Sequence, residues 1–171
     1  MSTINIEHAL TIQGWMEPDE LAFLAEAASR SRSIVEIGVY KGRSTCAIAA
    51  NTPGHIWSVD IWSECGPDGW YYDVFRGNVA RYPNITAVNR ASIWAAREFA
   101  AQGAFFDLIF IDAAHDEYNV RRDIEAWRPL LVPGGIFAGH DYNFKDHPDV
   151  KKIVDELIPN HRITDTIWEA L

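Results

Sequence analysis

Polar side chains that can bind a ligand or move a proton end several apolar segments of this chain. They are Glu36, Asp60, Asp112 and the pair His140 and Asp141. If these segments are parallel strands, their carboxyl ends meet along one edge, where open α/β sheets bind ligands. A single such carboxylate could simply cap a helix. Four strand ends that carry polar groups favour a binding or catalytic site.

Asp112, His140 and Asp141 have the donor atoms of a metal site. Carboxylate oxygens suit Mg²⁺ or Mn²⁺, and an imidazole nitrogen shifts the preference toward a transition metal. We therefore predict a divalent cation at these three residues. The structural alternatives are that Asp112 caps the following helix and that His140 and Asp141 only shape a turn.

His115 follows Asp112 by three residues, at the mouth of the same predicted site. An imidazole with an ordinary pKa near ~6.5 can act as a general base close to neutral pH. We predict this role for His115, the alternative being a polar surface residue at a helix start. The remaining histidines have no comparable setting and are expected to be structural or surface residues: His8, His55, His147 and His161.

A glycine loop follows the first apolar segment, with the spacing Glu36-x-Gly38-x-Tyr40-x-Gly42. It differs from the dinucleotide pattern G-x-G-x-x-G, whose helix N-terminus receives a pyrophosphate. A carboxylate at this point suits a cationic or amine-bearing ligand better than a phosphate, although purely structural loops have similar sequences. Asp60 ends the second strand, where carboxylates commonly bind ribose hydroxyls, so it predicts a nucleoside ligand.

Strand-like and helix-like segments alternate along the chain, which predicts an α/β fold. The predicted strands are Ser33–Ile37, Ile56–Asp60, Ile85–Asn89, Asp107–Asp112, Ile136–Ala138, Arg162–Thr164 and Ile167–Ala170. The predicted helices are Pro18–Arg30, Ser44–Asn51, Trp70–Tyr82, Ile93–Ala101, Asp116–Leu130 and Pro148–Leu157, with a turn at Pro133-Gly134-Gly135. This order indicates a doubly wound, mostly parallel sheet that ends in an antiparallel strand.

The helix predicted at Asp116–Leu130 has an apolar face formed by Val120, Ile124 and Trp127 at helical spacing. Its charged residues, Asp123 among them, are expected to face elsewhere.

Length and charge limit the classes of function. The chain has 171 residues, which fits a single domain over residues 1–171. Its formal net charge of −9 argues against general binding to nucleic acid or anionic membranes. Two cysteines make no disulfide framework, and a buried free thiol is expected at Cys46. No secretory leader and no apolar run of ~18 residues is evident, so the expected location is the cytoplasm.

Together these motifs resemble the class I S-adenosylmethionine-dependent methyltransferases, over most of the chain from about Ile12 onward. The segment Gly139-His140-Asp141-Tyr142 is similar to that of small bacterial members. The glycine loop is similar to the first motif of the catechol and caffeoyl-CoA O-methyltransferase families, acidic-x-Gly-x-Tyr-x-Gly-x-Ser. The resemblance implies a Rossmann-like class I methyltransferase fold and S-adenosylmethionine as cofactor.

The same resemblance implies where the cofactor binds. Residues of the first motif would surround its methionine part: Glu36, Gly38, Tyr40, Gly42 and Ser44. Asp60 would hold the ribose, Ser92 would lie beside the adenine, and Asp112 would lie at both the cofactor and the metal. Metal-dependent members end the fifth strand with Asp-Asn, where this chain has His140-Asp141, and they have a lysine base where this chain has His115.

We therefore predict methyl transfer from S-adenosylmethionine to the hydroxyl of a small molecule by in-line displacement. A divalent ion at Asp112 and Asp141 would acidify the hydroxyl, and His115 would remove its proton. The alternatives are a nicotinamide-dependent oxidoreductase, a non-catalytic module that binds the nucleoside cofactor, and a methyltransferase that works without metal.

Specificity for the acceptor must come from segments outside the sheet. The candidates are Gly14-Trp15-Met16, the Trp62–Tyr72 loop and the Asn143–His147 loop. The aromatic residues of the Trp62–Tyr72 loop could form a lid or a substrate wall, or the loop could simply pack over the sheet. Exposed tryptophans could instead pack against a second protomer, so a homo-oligomer is a further expectation.

Overall fold

The computed structural model describes residues 4–63, 65–66 and 69–171, and the side chains of residues 4–63 and 70–171. Its elements in chain order are α1 (Glu7–Leu10), α2 (Pro18–Ser29), β1 (Ser33–Ile37), α3 (Arg43–Asn51), β2 (His55–Asp60), β3 (Cys65–Gly66), β4 (Gly69–Trp70), α4 (Tyr71–Val79), β5 (Ile85–Asn89), α5 (Ser92–Ala101), β6 (Phe106–Ile111), α6 (Glu117–Trp127), a 3-10 turn (Arg128–Leu130), β7 (Leu131–Gly139), α7 (Pro148–Leu157), β8 (His161–Thr164) and β9 (Ile167–Ala170). No helix in the described part of the chain combines the length and apolar character of a membrane span.

Seven strands form the main sheet, in the order β5-β2-β1-β6-β7-β9-β8. β1 pairs in parallel with β2 on one side and with β6 on the other. The antiparallel pairs are β7 with β9 and β8 with β9. The predicted fold class is therefore confirmed. Strand order reverses between β1 and β6, and this switch point is where a doubly wound sheet opens a ligand cleft.

Two apolar cores lie on opposite faces of the sheet. Along β6, Leu108 and Phe110 pack into the core that includes Leu24 of α2, and Ile109 and Ile111 pack into the core of α5, α6 and α7. A strand buried on both faces needs a continuous apolar run, and this explains the sequence of β6. Cys46 belongs to the first core as a buried free thiol, as predicted, and burial raises its pKa to about 12.

The structure corrects several predicted boundaries, and two of them concern β7 and the helix before it. β7 begins at Leu131 rather than Ile136, and the predicted turn at Pro133-Gly134-Gly135 is an irregularity inside this strand, with Gly134 at φ 79°. The preceding helix ends at Trp127, followed by a 3-10 turn, because Pro129 has no N–H to continue the helical hydrogen bonds.

The predicted aromatic loop Trp62–Gly69 lies partly outside the described residues. Trp62 is buried against Phe75 in the first core rather than exposed as a lid. Trp70, at the start of α4, is 56% exposed.

Candidate active site

A cleft of about 970 Å³ opens at the carboxyl ends of β1, β2, β5, β6 and β7. Predicted site residues that line it are Gly38, Tyr40, Ser44, Asp60, Ser92, Asp112, His115, His140 and Asp141. Glu36 and Gly42 are buried and do not line it. The sheet thus brings most of the predicted residues to one place.

The glycine loop after β1 has a backbone that few residues allow. Gly38, at φ 81°, could not carry a side chain, because a Cβ there would lie 1.9 Å from the carbonyl oxygen of Asp112. Tyr40 also has a positive φ, of 47°. This close approach joins the ends of β1 and β6 and leaves the loop backbone at the cleft floor.

Asp60 holds this loop in position. Its Oδ2 accepts hydrogen bonds from the backbone N–H groups of Val39 (2.9 Å) and Tyr40 (3.0 Å). Its Oδ1 accepts one from the N–H of Trp62 (2.8 Å). A carboxylate has about four acceptor positions, so it can still accept a ligand hydroxyl. The sequence predicted the ligand role of Asp60 but missed this structural one.

Glu36 lies behind the loop and joins β1 to the start of α3. It is fully buried, and its Oε2 accepts a hydrogen bond from the hydroxyl of Thr45 (2.5 Å). Its Oε1 has no hydrogen-bond partner among the described residues. Burial raises the pKa of Glu36 to about 7, against the opposing effect of the nearby Ser44 and Thr45 hydroxyls. Contact with a cofactor, which the resemblance implies for Glu36, stays a prediction.

Beyond Asp60, on the β5 side of the cleft, Ser92 and Asp123 share a hydrogen bond. Trp127 Nε1 donates to Ser92 Oγ (2.9 Å), which donates to Asp123 Oδ1 (2.5 Å). Asp123 lines the cleft and is only 3% exposed, so the expectation that it faces away from the buried side of α6 is wrong. It lies three residues after Val120 and four before Trp127, on their buried side of the helix.

Asp112, His115, His140 and Asp141 form one cluster on the opposite side of the cleft, after β6 and β7. His140 Nδ1 lies 3.3 Å from Asp141 Oδ1 and 3.6 Å from Asp112 Oδ1. His115 Nε2 lies 2.8 Å from Asp141 Oδ2 and 4.0 Å from Asp112 Oδ1. Asp141 has a φ of 64°, a strained backbone for a non-glycine residue of the kind that occurs at functional sites.

Glu20 of α2 completes the cluster, and sequence reasoning missed it. It is 2% exposed, and its Oε1 lies 3.1 Å from His140 Nε2, an ion-pair contact rather than a well-aligned hydrogen bond. The same oxygen accepts a hydrogen bond from the hydroxyl of Thr166 (2.5 Å), and Oε2 accepts one from the N–H of Glu17 (2.9 Å). Glu20 therefore faces one ring nitrogen of His140 while the other faces the two aspartates.

Comparison with known proteins agrees with this geometry. The model of the family described as "Methyltransferase domain" matches residues 35–142, more than half of the chain. The chain belongs to this methyltransferase family. The match begins in β1 and ends just after the Gly139-His140-Asp141 segment, so it includes every strand that lines the cleft.

Three proteins illustrate what this methyltransferase is similar to. "Probable caffeoyl-CoA O-methyltransferase 3" of Dictyostelium discoideum is 28% identical over 137 residues, which cover 74% of this chain and 52% of that protein. Uncharacterized protein y4gI of Sinorhizobium fredii is 25% identical over 142 residues, which cover 78% of this chain and 16% of that protein. The chain thus spans about half of the first relative and about a sixth of the second. The O-methyltransferase from Bacillus cereus, solved in complex with SAH, has a TM-score of 0.71 and 20% identity, and covers 97% of this chain and 90% of its own. That likeness shows the class I methyltransferase fold.

The carboxylates strongly change the pKa values of both histidines in this methyltransferase. Contacts with Asp112 and Asp141 raise the pKa of His115 to about 9. Burial lowers the pKa of His140, but its contacts with Asp112, Asp141 and Glu20 outweigh burial and raise the pKa to about 12. In turn, the histidines hold the pKa values of Asp112 and Asp141 below their usual range, although burial opposes this. His115 therefore differs from the ordinary imidazole that its position in the sequence suggested.

The three predicted metal ligands fit a small divalent ion. Donor atoms of Asp112, His140 and Asp141 all lie within 4.8 Å of one another, and His140 Nδ1 is 3.3–3.6 Å from the carboxylate oxygens. Adjacent ligand atoms that each lie ~2.1 Å from one ion are ~3 Å apart from each other. A second group of His115, Asp141 and His147 fits less well. Its two imidazole rings are stacked with centroids 3.9 Å apart, so their lone pairs lie in parallel planes and cannot both point at one ion.

Replacing Glu36 by glutamine is expected to stabilise the protein at high pH only. Because burial raises the pKa of this carboxyl from 4.5 to about 7, its contribution to stability is complete below pH 4.5 and is lost as the pH rises through about 7. The full difference is up to about 3 kcal/mol. In urea unfolding at pH 5 and pH 8.5, the free energy of unfolding of Glu36→Gln should exceed that of the wild type at pH 8.5 and not at pH 5. The exposed Glu26→Gln is the control, and an equal effect of Glu36→Gln at both pH values would contradict the burial argument.

Proposed function

We propose that this chain transfers a methyl group from S-adenosylmethionine to a hydroxyl oxygen of a small molecule. The observation that carries the proposal is one cleft in which Asp60 and Ser92 lie at one end and the cluster of Asp112, His115, His140 and Asp141 at the other. One end could bind the nucleoside of the cofactor, and the other could bind the acceptor hydroxyl and take its proton. These are the two reactants of such a reaction.

The cleft has a place for each part of the cofactor. The glycine loop brings the backbone of Gly38 and the ring of Tyr40 to the floor, where the methionine part would lie. Asp60 has acceptor capacity left for ribose hydroxyls, and Ser92 lies where the base would follow. A cavity of about 970 Å³ also leaves room for an acceptor.

The acceptor hydroxyl would bind at the cluster, where Asp112, His140 and Asp141 would hold a divalent ion. Such an ion supplies positive charge that lowers the pKa of a bound hydroxyl and favours the neutral form of nearby histidine. Because the contacts of His140 Nδ1 are with the two aspartates and those of Nε2 are with Glu20, Nδ1 is the nitrogen available to the ion.

His115 has the general-base role in this mechanism. In its neutral form, the imidazole would take the proton of the hydroxyl as the oxygen attacks the sulfonium methyl of the cofactor, and the bond between carbon and sulfur would break to leave a neutral thioether. Asp141, 2.8 Å from Nε2, stabilises the imidazolium that forms. Alignment of the oxygen with the methyl supplies much of the rate, since effective molarities for aligned reactants reach ~10⁵ M and above.

The walls of the acceptor end are aromatic. Trp15 is 73% exposed and packs against Tyr40, with ring centroids 5.0 Å apart and ring planes tilted by 39°. Opposite, Phe144 stacks on His147, which stacks on His115. His147 is therefore part of the site, although its position in the sequence suggested no role. These rings favour a planar acceptor with a hydroxyl, and the caffeoyl-CoA of one relative's name has that character.

Other expectations extend the proposal. We propose a small-molecule acceptor without nucleic acid or membrane partners, a cytoplasmic location, and a homo-oligomer whose contacts use the exposed aromatic side chains.

Calorimetry with S-adenosylmethionine and SAH tests the cofactor. We expect micromolar binding by chelator-treated wild-type protein and at least ~10-fold weaker binding by Asp60→Asn, because a hydrogen bond to a charged group is worth about 1.5–3 kcal/mol. Asparagine keeps an oxygen for the loop N–H groups and changes the fold less than alanine would. Glu26→Gln is the control. Absence of binding, or binding of NADH instead, would overturn the proposal.

If the cofactor binds, release of S-adenosylhomocysteine (SAH) is then measured with caffeoyl-CoA and catechol as acceptors. Turnover with either places the methyl on a hydroxyl. Tight cofactor binding without turnover on any acceptor would instead favour the non-catalytic module.

A further inference from the structure

Asp123 is buried, and one of its two carboxylate oxygens has no hydrogen-bond partner among the described residues. It is 3% exposed, and Oδ1 accepts the hydrogen bond from Ser92. Among the described residues, no hydrogen bond or ion pair reaches Oδ2, and this atom is not among the fully buried ones, so it is open to the cleft. The neighbouring Arg122 bonds instead to the hydroxyl of Tyr118 (2.9 Å) and lies over its ring. The free oxygen belongs to a residue that lines the cleft.

A structural role alone does not account for this residue. An asparagine or threonine could accept the hydrogen bond from Ser92 without the cost of burying a charge, which is several kcal/mol for an ion without a partner. Burial raises the pKa of Asp123 to about 6, so the group is an anion at neutral pH despite that cost. The charge of Arg122 offsets the effect of burial only in part, so a hydrogen-bond donor to the free oxygen would stabilise the anion.

The position of Asp123 indicates which donor. Asp60 ends β2 and Ser92 begins α5, and β2 and β5 are adjacent strands. On the proposed function, Asp60 faces the ribose, so Ser92 and Asp123 lie where the nucleobase follows. Adenine has one exocyclic amino group with two N–H donors, whereas hypoxanthine has a carbonyl oxygen at the same place.

We propose that Asp123 selects the cofactor by its base, with Oδ2 accepting a hydrogen bond from the exocyclic amino group of adenine. This inference rests on the proposed function. Ser92 is then a positioning residue, because its hydrogen bond to Oδ1 orients the carboxylate. Trp127 fixes the Ser92 hydroxyl in turn by donating to it.

Calorimetry with two ligands tests the proposal: SAH and S-inosylhomocysteine, in which an oxo group replaces the amino group of adenine. The wild type should bind SAH ~10- to 100-fold more tightly, the range of one hydrogen bond to a charged group. Asp123→Asn should reduce this preference to within about threefold, since its amide can donate to the oxo group as well as accept. Asp116→Asn, which changes the exposed cap of the same helix, should keep the wild-type preference.

The outcomes separate this inference from the proposed function. If the wild type binds neither ligand, the proposed function fails. If it binds both equally, or if Asp123→Asn keeps the full preference for SAH, the role of Asp123 is wrong while the cofactor stands. If Asp123→Asn fails to fold, the role of Asp123 is still tested by two measurements. They are the relative affinity of the wild type for SAH and S-inosylhomocysteine, and the same measurement on Ser92→Ala. Ser92→Ala keeps the carboxylate and should still prefer SAH, and loss of all preference there would assign the reading of the base to Ser92.

Discussion

Replacement of His115 by alanine is expected to lower turnover by ~10²- to 10⁴-fold, the usual contribution of a general base. Affinity for SAH should stay within about threefold. The physical reason is position: Nε2 of His115 contacts Asp141 at 2.8 Å, whereas Asp60 and Ser92 belong to other strand ends. Turnover is measured as SAH release with the acceptor found above, and affinity by calorimetry on the same protein samples.

His55→Gln is the matched control for this prediction. His55 begins β2 at the opposite end of the strand from Asp60, and its ring contacts the hydroxyl of Thr86 outside the cleft. It should leave both turnover and affinity unchanged. If the affinity of His115→Ala for SAH falls in step with its turnover, His115 holds the cofactor and is not the base.

The strands of the main sheet could be predicted because burial on both faces leaves a direct record in the sequence. Three strands begin and end at the predicted residues: Ser33–Ile37, Ile85–Asn89 and Ile167–Ala170. The start of β7 could not be predicted, because proline and two glycines normally interrupt a strand. Here they form an irregularity in the pairing between β6 and β7, which depends on the neighbouring strand rather than on local sequence.

The site was predictable where a residue ends a strand and not where a helix supplies it. Asp112, His140 and Asp141 meet because parallel strands bring their carboxyl ends together. Glu20 is buried where it contacts His140 and Thr166, and both residues lie far from it in the chain. Asp123 was assigned to the polar face of α6 from its charge, although its spacing from Val120 and Trp127 places it on the buried face. Charge alone was therefore the wrong guide to orientation.

Replacing Asp112 by asparagine should have the second large effect, a loss of turnover of about 10³-fold. The carboxylate is a ligand of the proposed ion and lies 3.6 Å from His140 Nδ1 and 4.0 Å from His115 Nε2. Loss of its charge removes several kcal/mol of stabilisation at the reacting oxygen, and each 1.4 kcal/mol is about tenfold in rate. The affinity of Asp112→Asn for Mn²⁺, measured by calorimetry without any acceptor, should be at least ~10-fold weaker than that of the wild type.

Chelation separates the two ways in which Asp112 can act. If an ion is held by Asp112, His140 and Asp141, a chelator should lower wild-type turnover strongly and should change that of Asp112→Asn little, because the variant has already lost the ion. Asp116→Asn, four residues along the chain and exposed, should respond to the chelator as the wild type does. A wild type that ignores the chelator and binds no Mn²⁺, with Asp112→Asn still impaired, would remove the metal from the mechanism. The cluster would then act through its histidines, with His140, whose pKa is raised to about 12, as the positive charge beside the acceptor oxygen.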